Sequence, residues 1–192
     1  EAVGNTGGAD ARIAAGSDGV IHLVWATAPY PEGYPPQGVY YAQSADGANW
    51  SAPLQLAGVN YGQAAVVADA ANNVHVLYSG RVTVGGKYHR WSHDGVEWSE
   101  PVAAVAAGTG GLNSVPTLLA DAVGGVHLLG GTGENVWYEA WDGANWTAVQ
   151  DLRTLLPGEN ELTDPAFATE RATLALAGGN QLHAFFGAYT QE

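Results

Sequence analysis

Two sets of side chains recur at a spacing that invites a chemical reading. His22, His75, His127 and His183 each open an apolar run, in "IHLVW" (21–25), "VHVLY" (74–78), "VHLLG" (126–130) and "LHAFF" (182–186). Asp46, Asp94 and Asp142 each precede a glycine, in "SADGANW" (44–50), "SHDGVEW" (92–98) and "AWDGANW" (140–146). Imidazoles and carboxylates bind zinc and move protons in general acid–base catalysis. A catalytic group, however, is usually needed once, and these stand at the same place in successive units. Equivalent positions spread around a ring do not converge at metal-ligand distance. One carboxylate per turn also falls short of the six to eight oxygens that calcium takes. The histidines therefore read as interior scaffold and the aspartates as turn caps. His89 and His93 flank "RWS" with no Cys or carboxylate arrangement suited to a metal. No metal and no cofactor is expected.

The residues better suited to bind a ligand lie where the units differ. Tyr30, Tyr34, Tyr61, Arg81, Asn113, Glu134, Arg153 and Arg171 form that candidate set, with Glu32, Glu159, Glu161, Asp164 and Glu170 beside them. Aromatic rings stack on the C–H faces of sugars, while carboxylates, amides and guanidinium groups fix hydroxyls. No residue is assigned a catalytic role.

These residues need a scaffold, and a repeat supplies one. Trp50, Trp98 and Trp146 follow one another at a stride of 48 residues, as do the three aspartates. A period near that length fits a four-stranded propeller blade. The expected strands in the first unit (11–58) are "ARIAAG" (11–16), "IHLVWAT" (21–27), "VYYAQS" (39–44) and "APLQLA" (52–57). The second (64–108) has "AAVVAD" (64–69), "VHVLYSG" (74–80), "KYHRWS" (87–92) and "EPVAAV" (100–105). The third (116–158) has "PTLLAD" (116–121), "VHLLGG" (126–131), "VWYEAW" (136–141) and "TAVQDL" (147–152). A partial fourth (172–192) has only "ATLALAG" (172–178) and "LHAFFGAY" (182–189). The segments are short, rich in β-branched and aromatic residues, and bounded by Gly, Asn or Asp. The Ala-rich 102–108 could run as a helix, but its place as the last strand of a repeat outweighs propensity. The expected fold is all-β, a propeller of antiparallel four-stranded blades, about three and a half of them in one domain.

Such meanders put the second-to-third loops and the unit-to-unit connections on one face. The short first-to-second turns and the Asp–Gly turns lie on the other. The loop-rich face carries "TAPYPEGYPPQG" (27–38), whose four prolines shape a long loop. It also carries the connections 58–63, 107–115 and 153–171. Every candidate binding residue above falls on that face.

Composition narrows the partners. Six Lys plus Arg against 19 Asp plus Glu give a formal charge of −13, which repels nucleic acid and anionic membranes. No apolar run approaches the roughly 20 residues of a membrane helix. With no Cys, disulfides and thiolate chemistry are excluded. Acidity, low Lys and abundant Ala and Gly suit a secreted or cell-surface bacterial protein. Asn49-Trp50-Ser51 and Asn145-Trp146-Thr147 match a glycosylation acceptor, as by-products of the repeat.

The Asp–Gly–Trp segments resemble the Asp-box, or BNR, repeat of sialidase-like propellers, Ser-x-Asp-x-Gly-x-x-Trp. The copies here are one residue shorter between Asp and Gly, and the third has Ala140 where Ser is usual. The resemblance implies that the aspartates sit on the rim opposite the ligand face. In that family an arginine cluster grips the substrate carboxylate, and a tyrosine nucleophile works with an acid/base aspartate. Arg12, in "DARIAAG", lacks the aromatic and the Pro that accompany the first family arginine, and no Tyr–Glu pair can be mapped, so no catalytic set is carried over. The expected function is recognition of a glycan or protein through the loop-rich face. One alternative is part of a sialidase-like catalytic propeller. A second is an assembly module joined through unpaired blade edges, by self-association or with a complementing chain. Two copies joined head to tail would not supply the third and fourth strands that the fourth unit lacks.

Overall fold

The computed structural model describes residues 11–27, 37–58, 61–80, 86–104, 117–132, 135–155, 167–178 and 180–190. These form fourteen strands in four antiparallel sheets. The first sheet comprises β1 (Arg12–Ala15), β2 (Ile21–Ala26), β3 (Val39–Ser44) and β4 (Leu54–Ala57). The second comprises β5 (Tyr61–Ala68), β6 (Val74–Gly80), β7 (Lys87–Ser92) and β8 (Val102–Ala103). The third comprises β9 (Thr117–Ala120), β10 (Val126–Thr132), β11 (Asn135–Trp141) and β12 (Gln150–Asp151). The fourth has β13 (Phe167–Ala177) and β14 (Gln181–Thr190). In every sheet the spatial order equals the chain order. The fold is a β-propeller of simple meanders.

The turns follow from their residues. Each first-to-second turn places one residue at positive φ: Gly19 at 84°, Asn72 at 64°, Gly124 at 93° and Asn180 at 64°. Glycine and asparagine enter that region at the least cost. The glycines of the three Asp–Gly turns do the same, Gly47 at 71°, Gly95 at 73° and Gly143 at 100°.

The core lies between sheets. Val24, Val39 and Tyr41 of the first sheet meet Ala64, Val66, Val74, Val76 and Tyr78 of the second. Leu77 of the second meets Leu128 and Trp137 of the third, with Leu118 packed beside them. Leu129 and Val136 of the third meet Leu174 of the fourth. Trp98 presents its edge to Tyr41 of the preceding sheet at 4.9 Å, and Trp146 to His89 at 5.2 Å. Trp50 packs with Trp25, Tyr40 and Ala42 of its own sheet. All three of these tryptophans are half-buried.

Four details differ from the sequence reading. The outermost strands are shorter than expected, because β8 and β12 each pair with their neighbour over only two residues. Leu152, placed at the end of a strand, opens a 3-10 turn, Leu152–Leu155. The third Asp–Gly turn is one residue tighter. Ser51 N–H donates to Gln43 O and Ser99 N–H to Trp91 O, eight residues back, whereas Thr147 N–H donates to Ala140 O, seven back. Trp141, rather than Ala140, therefore stands where the other turns have Ser44 and Ser92. Finally, His183 is exposed, while His22, His75 and His127 are buried, because no sheet among the described residues covers β14.

Candidate functional site: the axial groove and its mouth

The first strand of each sheet is its innermost, and those of the first three sheets line a groove of about 180 Å³. Its walls are Arg12 and Ile13 of β1, Ala65 and Val66 of β5, and Thr117 and Leu118 of β9. Register sets their height. Arg12 pairs with Val24, Ala65 with Leu77, Thr117 with Leu129 and Thr173 with Phe185, which are equivalent positions on the second strands. The groove thus offers one guanidinium and a hydroxyl above apolar neighbours. That set binds a neutral polar ligand by hydrogen bonds and C–H contact.

Toward the loop-rich face two innermost strands break register at the same height. On β5 the ladder skips Gln63, between the Gly62–Ser79 and Ala64–Tyr78 pairs. On β13 it shifts between Glu170–Gly187 and Thr173–Phe185, the stretch that contains Arg171. Gln63 carries a φ of 42°, in the left-handed region that a non-glycine residue adopts at a cost. Bulges re-aim side chains and concentrate at barrel rims and beside functional sites.

The sequence candidates distribute as follows. Tyr61, placed in a connection, opens β5 instead and pairs with Gly80 at the mouth. Arg171, also placed in a connection, lies inside β13 at the bulge. Arg153 lies in the 3-10 turn. Tyr30, Tyr34, Arg81, Asn113 and Glu134 fall outside the described residues. The topology therefore brings Tyr61 and Arg171 to the same end of the groove. Sequence reasoning missed Gln63 and Thr117, and it weighed Arg12 only against a family motif. The long innermost strands carried no pattern that marks a bulge.

The repeated histidines and aspartates sit elsewhere, in scaffold roles. Asp46 accepts from the N–H groups of Ala48 (2.9 Å) and Asn49 (2.7 Å). Asp94 accepts likewise from Val96 and Glu97, and Asp142 from Ala144 and Asn145. These backbone bonds hold all three carboxyls below their usual range. The Ser44 and Ser92 hydroxyls accept from Gly47 and Gly95, each at 2.9 Å.

Each buried histidine bonds its own third strand. His22 Nδ1 lies 2.8 Å from Tyr41 Oη, His127 Nδ1 2.8 Å from Tyr138 Oη, and His75 Nδ1 3.0 Å from His89 Nε2. On the other side, Asp121 Oδ2 lies 3.1 Å from His127 Nε2 and Asp69 Oδ2 3.4 Å from His75 Nε2. The networks assign the tautomers. Tyr41 donates to Gln43 Oε1, so His22 donates from Nδ1. His75 and His127 donate from Nε2 to carboxylates and accept at Nδ1. Burial lowers the affinity of His22, His75 and His89 for a proton, and that of His89 falls to a pKa of about 3. Burial raises the Asp121 carboxyl, but the bonds from His127, Asn180, Gly125 and Val123 outweigh it and bring it to about 2. Among the described residues, no group of three His, Cys, Asp or Glu side chains is placed to hold a metal ion.

With this geometry in hand, the molecule can be set beside known proteins. No family model matches the chain. No curated protein matches it either. Solved structures do. A protein of unknown function from Dyadobacter fermentans superposes with a TM-score of 0.65 at 13% identity, over 95% of this chain and 62% of its own. A polysaccharide lyase of family PL25, an ulvan lyase bound to -[GlcA(1-4)Rha3S]-, superposes with a TM-score of 0.63 at 12% identity, over 98% of this chain and 46% of its own. A Hadza microbial sialidase aligns at a TM-score of 0.29 and 12% identity, over 76% of this chain and 45% of its own. At these identities the likeness is one of fold. The chain spans between about half and three-fifths of the length of the first two structures.

Proposed function

We propose that this chain is a carbohydrate-binding propeller module of the Asp-box type, working outside the cell. Its ligand enters the axial groove from the loop-rich face. The observation that carries this reading is the pair of bulges on β5 and β13. They lie at one height on two innermost strands, with Tyr61 and Gln63 on β5 and Arg171 on β13. Gln63 keeps a costly backbone conformation there, which a scaffold alone has no reason to retain. The three Asp–Gly turns face the other way, in the place that Asp-box turns occupy opposite a ligand. The charge of −13 argues for a neutral glycan over a uronate or sulfate polymer, in contrast to the substrate seen in the ulvan lyase.

A glycan array tests this reading. Binding to neutral oligosaccharides that persists at 0.5 M salt is the expected result. Release of sugar from a fluorogenic sialoside would instead make the chain part of a hydrolase. Binding to no glycan at all would remove the reading.

A further inference from the structure

One contact recurs at every junction between sheets. A residue on the second strand of one sheet packs against a residue on the first strand of the next. Val24 shares a cluster with Val66, Leu77 with Leu118, and Leu129 with Leu174. By register, the fourth member of the second-strand series is Phe185, because Val24, Leu77, Leu129 and Phe185 pair with Arg12, Ala65, Thr117 and Thr173. The missing member of the first-strand series is Ile13, which precedes Val66, Leu118 and Leu174 at the same place. These two residues are the unmatched ends of the pattern, and both are exposed, Phe185 at 56% and Ile13 at 64%. The three matched second-strand residues are fully buried, each at 0%.

The surroundings repeat the point. On the Phe185 side, Thr173, Ala175 and His183 are exposed, whereas Leu174 faces the third sheet and is buried. His183 stacks on Phe185, with ring centroids 6.3 Å apart. On the Ile13 side, Ile21 and Leu23 are only half-buried, whereas their counterparts Val74 and Val76 are buried at 1% and 0%.

We infer that a second copy of this chain seats its Ile13 face on the Phe185 face, head to tail, as each sheet already seats on the one before it. The joint can form on the first and second strands, which carry one aliphatic pair at each of the three existing junctions, although third-strand residues such as Val39, Tyr41 and Val136 add to those junctions. The fourth sheet presents its two strands to this joint and brings the Phe185 pair without a third-strand contribution. The contact is heterologous, so two copies close on themselves when both joints form. In that arrangement the partner's β13 covers the open side of the groove at Ile13, and the groove is complete only in the assembly. Each copy carries −13, so salt strengthens the association by screening. This inference stands apart from the choice of ligand, since it concerns the joint alone.

The chain contains no cysteine, so introduced ones report cleanly. Sedimentation of the native chain is expected to show twice the monomer mass at high concentration, with dissociation on dilution and less of it at 0.5 M salt. Ile13→Glu and Phe185→Glu, both at exposed sites, are each expected to weaken dimerisation at least tenfold with the thermal midpoint retained. A mixture of Ile13→Cys and Phe185→Cys chains is expected to form a mixed disulfide dimer on mild oxidation, in excess over either chain alone. A chain that stays monomeric at every concentration overturns the inference. So does a dimer indifferent to both glutamates, or one cross-linked as readily by Phe185→Cys alone.

Discussion

Glu139 sits on β11 with its side chain wholly buried and neither carboxylate oxygen hydrogen-bonded. It shares a face of the strand with Trp137, which packs on Leu77 of the second sheet. Burial alone raises its carboxyl to a pKa of about 8, so near neutral pH it is held as the acid. The sign of the pH dependence follows. The folded state keeps a proton that the unfolded chain loses above its ordinary carboxylate range, near 4.5. Stability from this group is therefore full below about 4.5 and is lost as pH rises toward 8, by about 1.4 kcal/mol per pH unit. The buried histidines act oppositely. Unfolded, they take up protons near 6.5, whereas folded His89 resists until about 3, and His22 and His75 shift the same way. Their contribution is present above 6.5 and is lost as pH falls below it. Three histidines outweigh one glutamate below 6.5, and the glutamate dominates between 6.5 and about 8, where the Lys87 ammonium, lowered to about 8 by burial, begins to lose its proton and acts in the opposite sense. Thermal melts are expected to peak near pH 6.5, and Glu139→Gln is expected to flatten the decline between 6.5 and 8. An unchanged decline in that variant would show that another group titrates there.

At the level of elements, the two asparagines at positive φ act beyond their own turns. Asn72 Oδ1 accepts from Ser17 N–H and Ser17 Oγ, both at 2.8 Å, across the junction between the first and second sheets. Asn180 reaches the third sheet in the same way, accepting from Ala122 N–H and donating to Asp121. Glycine would allow the turn but not the staple. Asn72→Gly is expected to cost about 1 kcal/mol through the lost bonds. Asn72→Ala is expected to cost about 2 kcal/mol, because it adds the left-handed backbone penalty. Equal losses in urea denaturation would mean that the side-chain bonds contribute nothing. These turns were readable beforehand, since Gly, Asp and Asn clusters have few alternatives between two apolar runs. The strands were readable for the same reason, through alternation. The tightened third Asp–Gly turn was not. Trp141 occupies the place of a serine there and lies 4.8 Å from His89, yet the tryptophan stride stays at 48 and hides the deletion. A repeat aligned on its loudest residue conceals compensating shifts between them.

For the molecule as a whole, the arc of sheets was visible in the period, and the fourth sheet has two strands among the described residues. The groove was not. Its lining depends on which residues of three distant strands share a height, and that is fixed by register and bulges. Arg12, Ala65, Thr117 and Thr173 have nothing in common in the sequence except their pairing partners. Tyr61 and Arg171 were chosen as loop residues, and they stand at the mouth because the strands extend further than the apolar runs suggest. The fold holds the two faces far apart in role. One is fixed by carboxylates bonded to their own turns, and the other carries the connections whose sequences differ from unit to unit. The most direct test of this division is titration calorimetry with the neutral oligosaccharide that binds best on the array, comparing Arg12→Ala/Thr117→Ala with Asp94→Ala. The account predicts at least a tenfold loss of affinity in the groove variant and a change within twofold in the turn variant. Unchanged binding by the groove variant, with loss in the turn variant, would place the ligand on the opposite face and contradict it.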